Sequence, residues 1–131
     1  MSKYAALLLI FSLLLTNCGQ NTYQIGERLY KAHCANCHLD QGEGLGALIP
    51  PLANSDYLAA HRDQLPCIVR YGLKDTITVN GKVFAEQMTG IDALNDIQLA
   101  NVCNYVLQRF GKEQKPFSFE ELEGILNGCE R

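Results

Sequence analysis

The chain opens on an apolar run, "YAALLLIFSLLL" from Tyr4 to Leu15, broken only by Ser12 and preceded by one lysine, Lys3. A run of this length is too short to span a bilayer comfortably but suits the apolar region of an export signal. After a polar stretch from Gly19 to Thr22 the pattern takes a helical period. In "YQIGERLYKAHC", Ile25, Leu29, Ala32 and His33 share one face, with Asn21 as N-cap and Gln24 three residues on. Gly26 lies one turn before Tyr30, and a glycine inside a helix, at a cost of about 1 kcal/mol against alanine, marks close packing. From Leu39 to Asn54 the pattern is that of a loop; Gly42, Gly44 and Gly46 follow no strand and form no phosphate-binding signature.

Further on, a short helix is predicted over Ser55 to Ala59. A second runs from Gln64 to Tyr71, capped by Asp63, with Pro66 in its first turn and Gly72 as its stop. "TITVNGKVF" alternates around Asn80-Gly81, the pair preferred in a type I′ turn, and predicts a hairpin over residues 77–84. Met88 follows in an irregular loop. The strongest helix covers Asp96 to Arg109, with Asn95 and Gln98 as cap pair and Gly111 as stop. Its apolar face is Leu99, Val102, Cys103, Val106, Leu107 and Phe110. Ser118 as N-cap, Glu121 at the third position and a staple from Phe117 to Leu122 predict a last helix over Phe119 to Leu126. The fold class is therefore all-α, four to five helices with long loops and one small hairpin.

The chain's 131 residues suffice for one domain. Its formal net charge of −3 is spread thinly, and the absence of a basic block argues against nucleic acid as a partner. The six cysteines change the picture more. Cys18 sits where the apolar signal ends, in "LTNC". This resembles a bacterial lipoprotein signal, cut before a cysteine that then carries lipid, although Asn17 stands where a smaller residue is usual. The alternative is ordinary secretion with Cys18 left as a thiol. The expected organisation is an export signal over 1–17, a tether over 18–22, a folded domain over 23–112 and a C-terminal extension over 113–131. The protein would then be exported to the periplasmic side and anchored to a membrane by lipid. Export implies an oxidising compartment, where two of Cys67, Cys103 and Cys129 can pair. Cys103 faces a core, whereas Cys129 lies just past the last helix, so Cys67–Cys129 is favoured and Cys67–Cys103 is second. Such a bridge is worth about 4 kcal/mol on chain-entropy grounds.

The remaining pair lies in "CANCH", with Cys34 and Cys37 flanking two small residues and His38 next. Zinc would need a second pair of ligands, and none follows. A thiol redox switch sits at the end of a strand in a βαβ pattern, and no parallel sheet is predicted. C-x-x-C-H is the attachment signature of c-type haem: each thiol adds across one vinyl group, and the histidine then binds the iron. The ligand on the other side decides the function. Met88 is the one methionine besides Met1, and methionine closes the site and suits electron transfer. A gap-filling role for Met88 and a ligand role for His61 are the alternatives; His61 reads as an exposed residue.

With "IGERLYKAHCANCH", "PPLANSDYL", "LKDTITVNGKVFAEQM" and "LNDIQLANVCNYVL" in this order, the chain from Tyr23 to Lys112 resembles the class I cytochromes c. The likeness is particularly to the small monohaem bacterial ones related to the cytochrome c domains of terminal oxidases. The resemblance implies the cytochrome c fold around one covalent haem c. It implies thioethers at Cys34 and Cys37, iron ligands His38 and Met88, and a hydrogen bond from His38 to the carbonyl of Pro50. Leu52, Ile68 and Val79 would line the haem pocket, and Gly26 and Tyr30 would cross the helix that holds Tyr105. Leu39 stands where relatives often have glycine, Thr89 where proline is common, and Cys103 where an aliphatic is usual. The implied role is electron transfer rather than enzymatic catalysis, in a respiratory chain whose redox partners would be a quinol-oxidising complex, a terminal oxidase or a reductase. Two other functions stay open: a gas- or peroxide-responsive haem protein with a displaceable Met88, and a fixed electron-entry subunit that uses the Glu-rich tail.

Overall fold

A computed structural model describes residues 20–112 and 115–129; Cys18 and the predicted signal lie outside them. The first helix, α1, spans Gln20–His33. It begins inside the stretch read as a tether, so Asn21 is a helical residue and not the cap. Its buried face also differs from the one the apolar residues outline: Gly26 and Tyr30 are buried, Ile25 and Leu29 half-buried, and Ala32 and His33 exposed. The reason is the partner helix. α5, Asp96–Phe110, makes its most extensive contact with α1. A Cβ at Gly26 would lie 2.4 Å from the Asn101 carbonyl oxygen and 2.7 Å from Tyr105 Cβ. Backbone contact at Gly26 rotates α1 so that Tyr30 packs on Tyr105 and Phe110, ring centroids 5.4 Å apart in both pairs.

α5 has the full capping box, Asn95 with Gln98, and stops at Gly111. Its predicted apolar face is the core of the molecule, with Leu99, Cys103 and Leu107 wholly buried. Between α1 and α5 lie α2 (Ala35–His38), α3 (Asp56–Ala60) and α4 (Leu65–Tyr71). Ser55 caps α3, its hydroxyl accepting from the Leu58 amide at 3.0 Å. Asp63 does not cap α4, because a 3-10 turn over Arg62–Gln64 runs into that helix. Pro66 in the first turn of α4 and Gly72 at its end stand as predicted.

Two small antiparallel pairings complete the frame. β2 (Ile77–Val79) and β3 (Lys82–Phe84) form the predicted hairpin, with positive φ at both Asn80 and Gly81. Asn80 exchanges two hydrogen bonds with Asp56, which ties the hairpin tip to the start of α3. The other pairing was not legible in the sequence: β1 (Gly72–Leu73) with β4 (Met88–Thr89). Met88 therefore stands on a short strand and not in an irregular loop. The tail forms α6, Phe119–Asn127, with the Ser118–Glu121 capping box, and both members of the predicted staple, Phe117 and Leu122, are buried.

Candidate haem site

α2 is a single turn that brings Cys34, Cys37 and His38 to one wall of a cavity of about 360 Å³, within the usual size range for small-molecule and cofactor sites. The turn is fixed by backbone bonds from Cys37 and His38 to the Cys34 carbonyl. Leu39 then takes φ 61°, the left-handed region that a side chain resists and that glycine enters freely. Its carbonyl is held there by the Tyr30 hydroxyl at 2.7 Å and by the Gly42 amide. This is the physical content of a glycine preference at that position, and here Tyr30 compensates for its loss.

His38 is buried, and its Nδ1 lies 3.1 Å from the Pro50 carbonyl oxygen. With Nδ1 donating to that oxygen, Nε2 is the nitrogen left for a metal, and the ring's tautomer and orientation are set. Burial lowers the His38 pKa, against a smaller rise from the Pro50 bond, so the imidazole is held neutral, as a metal ligand must be. Cys34 and Cys37 are free thiols. Burial, with Cys37 as a lesser cause, pushes the Cys34 thiol up to about 11.

The rest of the cavity is mainly apolar. Leu52, Ile68 and Val79 line it together with Leu65, Val69, Phe84 and Ile91, and Pro50 and Met88 stand on the same wall set. His61, read as exposed, is half-buried there, stacked on Tyr57 at 4.0 Å between ring centres. Its Nδ1 is engaged by the Tyr57 carbonyl at 2.9 Å.

Met88 is placed by α4. Gly72 has φ +86°, and a Cβ there would lie 2.3 Å from the Met88 carbonyl oxygen; one at Gly90 would lie 2.6 Å from the Arg70 carbonyl oxygen. Two glycines thus let the Met88 strand press directly on the end of α4. The Ile91 amide bonds to the Val69 carbonyl at 2.8 Å, and the Arg70 guanidinium reaches the Asp92 and Leu94 carbonyls and Asp96. The sequence marks Gly72 only as a helix stop; Gly90 and Arg70 carry no local signal of this role.

Among the described residues no group of three or more His, Cys, Asp or Glu side chains could hold a bare metal ion. Two thiols on a single turn, a buried neutral imidazole with one nitrogen free, and a thioether on the same apolar cavity are instead the donor set of a covalent haem protein. Comparison with known proteins agrees. Residues 23–109 match the Cytochrome c family. Cytochrome c-552 of Thermus thermophilus is 34% identical over 109 residues, covering 76% of this chain and 82% of that one. A second cytochrome c-552 of the same species, from another strain, shows the same identity over 73% of its length. The fructose dehydrogenase cytochrome subunit of Gluconobacter japonicus is 28% identical over 108 residues, covering 79% of this chain but 22% of that protein. The chain belongs to the cytochrome c family, and with it come covalent haem c and electron transfer.

In that role Cys34 and Cys37 would hold the haem through thioethers, and His38 and Met88 would hold its iron. The bound group supplies a one-electron change at iron. The chain supplies the conditions: apolar walls that keep water from the metal, and a histidine pre-oriented by Pro50, so that little around the site rearranges when the charge changes.

Proposed function

We propose that this protein is an exported, membrane-tethered electron carrier of a respiratory chain, with one haem c ligated by His38 and Met88. The observation that carries the reading is that Cys34, Cys37, His38 and Met88 all face one apolar cavity. The hold of α4 on the Met88 strand favours a permanent ligand over a displaceable one, and so a carrier over a gas or peroxide sensor. His61 has its Nδ1 engaged and its ring stacked, which supports a wall role over ligation. Lipid on Cys18, close before Gln20 where α1 begins, would hold the protein near its partners and raise their effective concentration. These partners would be a quinol-oxidising complex as donor and a terminal oxidase or reductase as acceptor. The Gluconobacter relative, a cytochrome subunit by name and several times longer, favours a second reading as a fixed electron-entry subunit.

The test is the absorption spectrum of the exported, haem-loaded protein, oxidised and reduced, followed by carbon monoxide. A methionine-to-iron band and no reaction with carbon monoxide are expected; a high-spin spectrum or rapid uptake would overturn the carrier reading. Membrane fractionation of the parent and Cys18→Ser tests the tether, with release to the soluble fraction expected for the variant. Co-purification with and without residues 113–131 separates the free carrier from the fixed subunit: equal recovery of partners supports the carrier, and tail-dependent recovery the subunit.

A further inference from the structure

The tail past Lys112 lies outside the matched family segment, yet it is bound closely to the rest of the fold. Cys129 is joined to Cys67 by a disulfide. Arg62 donates to both carboxylate oxygens of Glu121, at 2.9 and 3.4 Å, and to the Lys115 carbonyl at 2.8 Å, and its guanidinium lies 3.9 Å from the centre of the Phe117 ring. Asn104 of α5 closes a two-way pair with the Phe117 backbone, at 2.7 and 3.0 Å. Leu122 is wholly buried.

What this grip acts on is α4. On that helix Leu65, Ile68 and Val69 share the face toward the cavity, and Cys67, two residues from Leu65, points to the opposite side. The tail therefore holds the outer face of the helix whose inner face is cavity wall and whose end carries the Met88 strand. The route is short and covalent or hydrogen-bonded at each step: Cys129 to Cys67, along α4 to Gly72–Leu73, and across the ladder to Met88–Thr89. A four-residue ladder and a seven-residue helix are too small to be rigid alone, so their stiffness must come from what is packed behind them.

We propose that the C-terminal segment is a strut for the axial methionine: by gripping α4 from outside through Cys67–Cys129 and Arg62–Glu121, it fixes the strand that presents Met88 to the cavity. Cys67, Cys129, Arg62 and Glu121 are then positioning residues of the haem site. The inference rests on the reading of Met88 as the iron ligand. It assigns the extension a role in keeping small ligands off the iron.

The experiment uses the full-length, haem-loaded protein in three forms: the parent, the parent after a dithiol has reduced the bridge to two thiols and closed to its own disulfide, and C67S/C129S. Freed thiols are capped before the iron is reoxidised. Carbon monoxide uptake by the ferrous forms, the methionine-to-iron band of the ferric forms, and amide exchange over residues 72–73 and 88–89 are then read. Uptake about tenfold faster is expected in both bridge-free forms, since a tenfold larger open population corresponds to about 1.4 kcal/mol of local opening free energy. A weaker band and faster exchange in the ladder should accompany it. Y23A, which removes a ring stacked on Tyr105 at the α1 face, should lower thermal stability and leave uptake and band unchanged. Bridge-free forms that lose thermal stability but keep the parent's uptake and band would overturn the strut. A parent without a methionine-to-iron band would overturn the Met88 reading, and the strut with it. Should C67S/C129S fail to load haem, the dithiol-treated parent carries the test.

Discussion

Single residues decide where the two candidate iron ligands stand, and they do so in different ways. His38 is set by one hydrogen bond to Pro50. Met88 is set by backbone contact through Gly72, where a side chain would meet both a positive φ and the Met88 carbonyl. Gly72→Ala should therefore cost about 1–3 kcal/mol of stability and weaken the methionine-to-iron band, whereas a change at the other helix stop, Gly111→Ala, should leave the band intact; equilibrium denaturation and absorption spectra check both. The difference in legibility follows from the same contrast. Cys34, Cys37 and His38 are adjacent in the chain, so their chemistry is written in their spacing. Met88 stands out by composition alone, and nothing nearby in sequence shows that Gly72, Gly90 and Arg70 place it.

Whole elements were readable where their signals are local. The capping boxes at Asn95 and Ser118, the Asn80-Gly81 turn and the apolar face of α5 each involve residues within one or two turns of one another. Errors arose where a neighbour overrides a local pattern: contact with α5 at Gly26 turns α1 away from the face its aliphatic residues outline, and a 3-10 turn displaces Asp63 from the cap of α4. The α1–α5 crossing predicts that Gly26→Ala, whose Cβ would lie 2.4 Å from the Asn101 carbonyl oxygen, lowers stability by about 1–3 kcal/mol through overpacking, read from the denaturant midpoint. In the tail helix Ser118→Ala should cost about 1 kcal/mol as a lost cap, read as the same midpoint or as faster amide exchange in α6. Its docking should also respond to acid. Hydrogen bonding to Arg62 lowers the Glu121 pKa from 4.5, so the contribution is complete above the unfolded value and is lost as pH falls through the folded one. Thermal midpoints should therefore fall with acidification below about pH 4.5, and Arg62→Gln should flatten that part of the profile.

At the scale of the molecule, one bridge spans 62 positions and closes a loop that contains the hairpin, the Met88 strand and α5. Its loss should cost about 4 kcal/mol on chain-entropy grounds, measurable as the difference in unfolding free energy between the parent and C67S/C129S. The sequence left three pairings open, and no local pattern distinguishes them, because partner choice depends on how α4 and α6 pack. The buried Cys103 gives that bridge a history as well as a strength. If the chain is exported from its N-terminus, Cys67 and Cys103 emerge before Cys129, so the wrong partner is available first. Once α5 packs, Cys103 is out of reach: it is wholly buried, and burial raises its pKa well above 9.0, leaving almost no thiolate to attack. Helix packing then acts as a proofreading step for the thiols, withdrawing Cys103 before the last segment arrives. The cysteines meant for haem gain from the same order of events, since Cys34 is masked in the same core and is kept from oxidation while it waits for its partner.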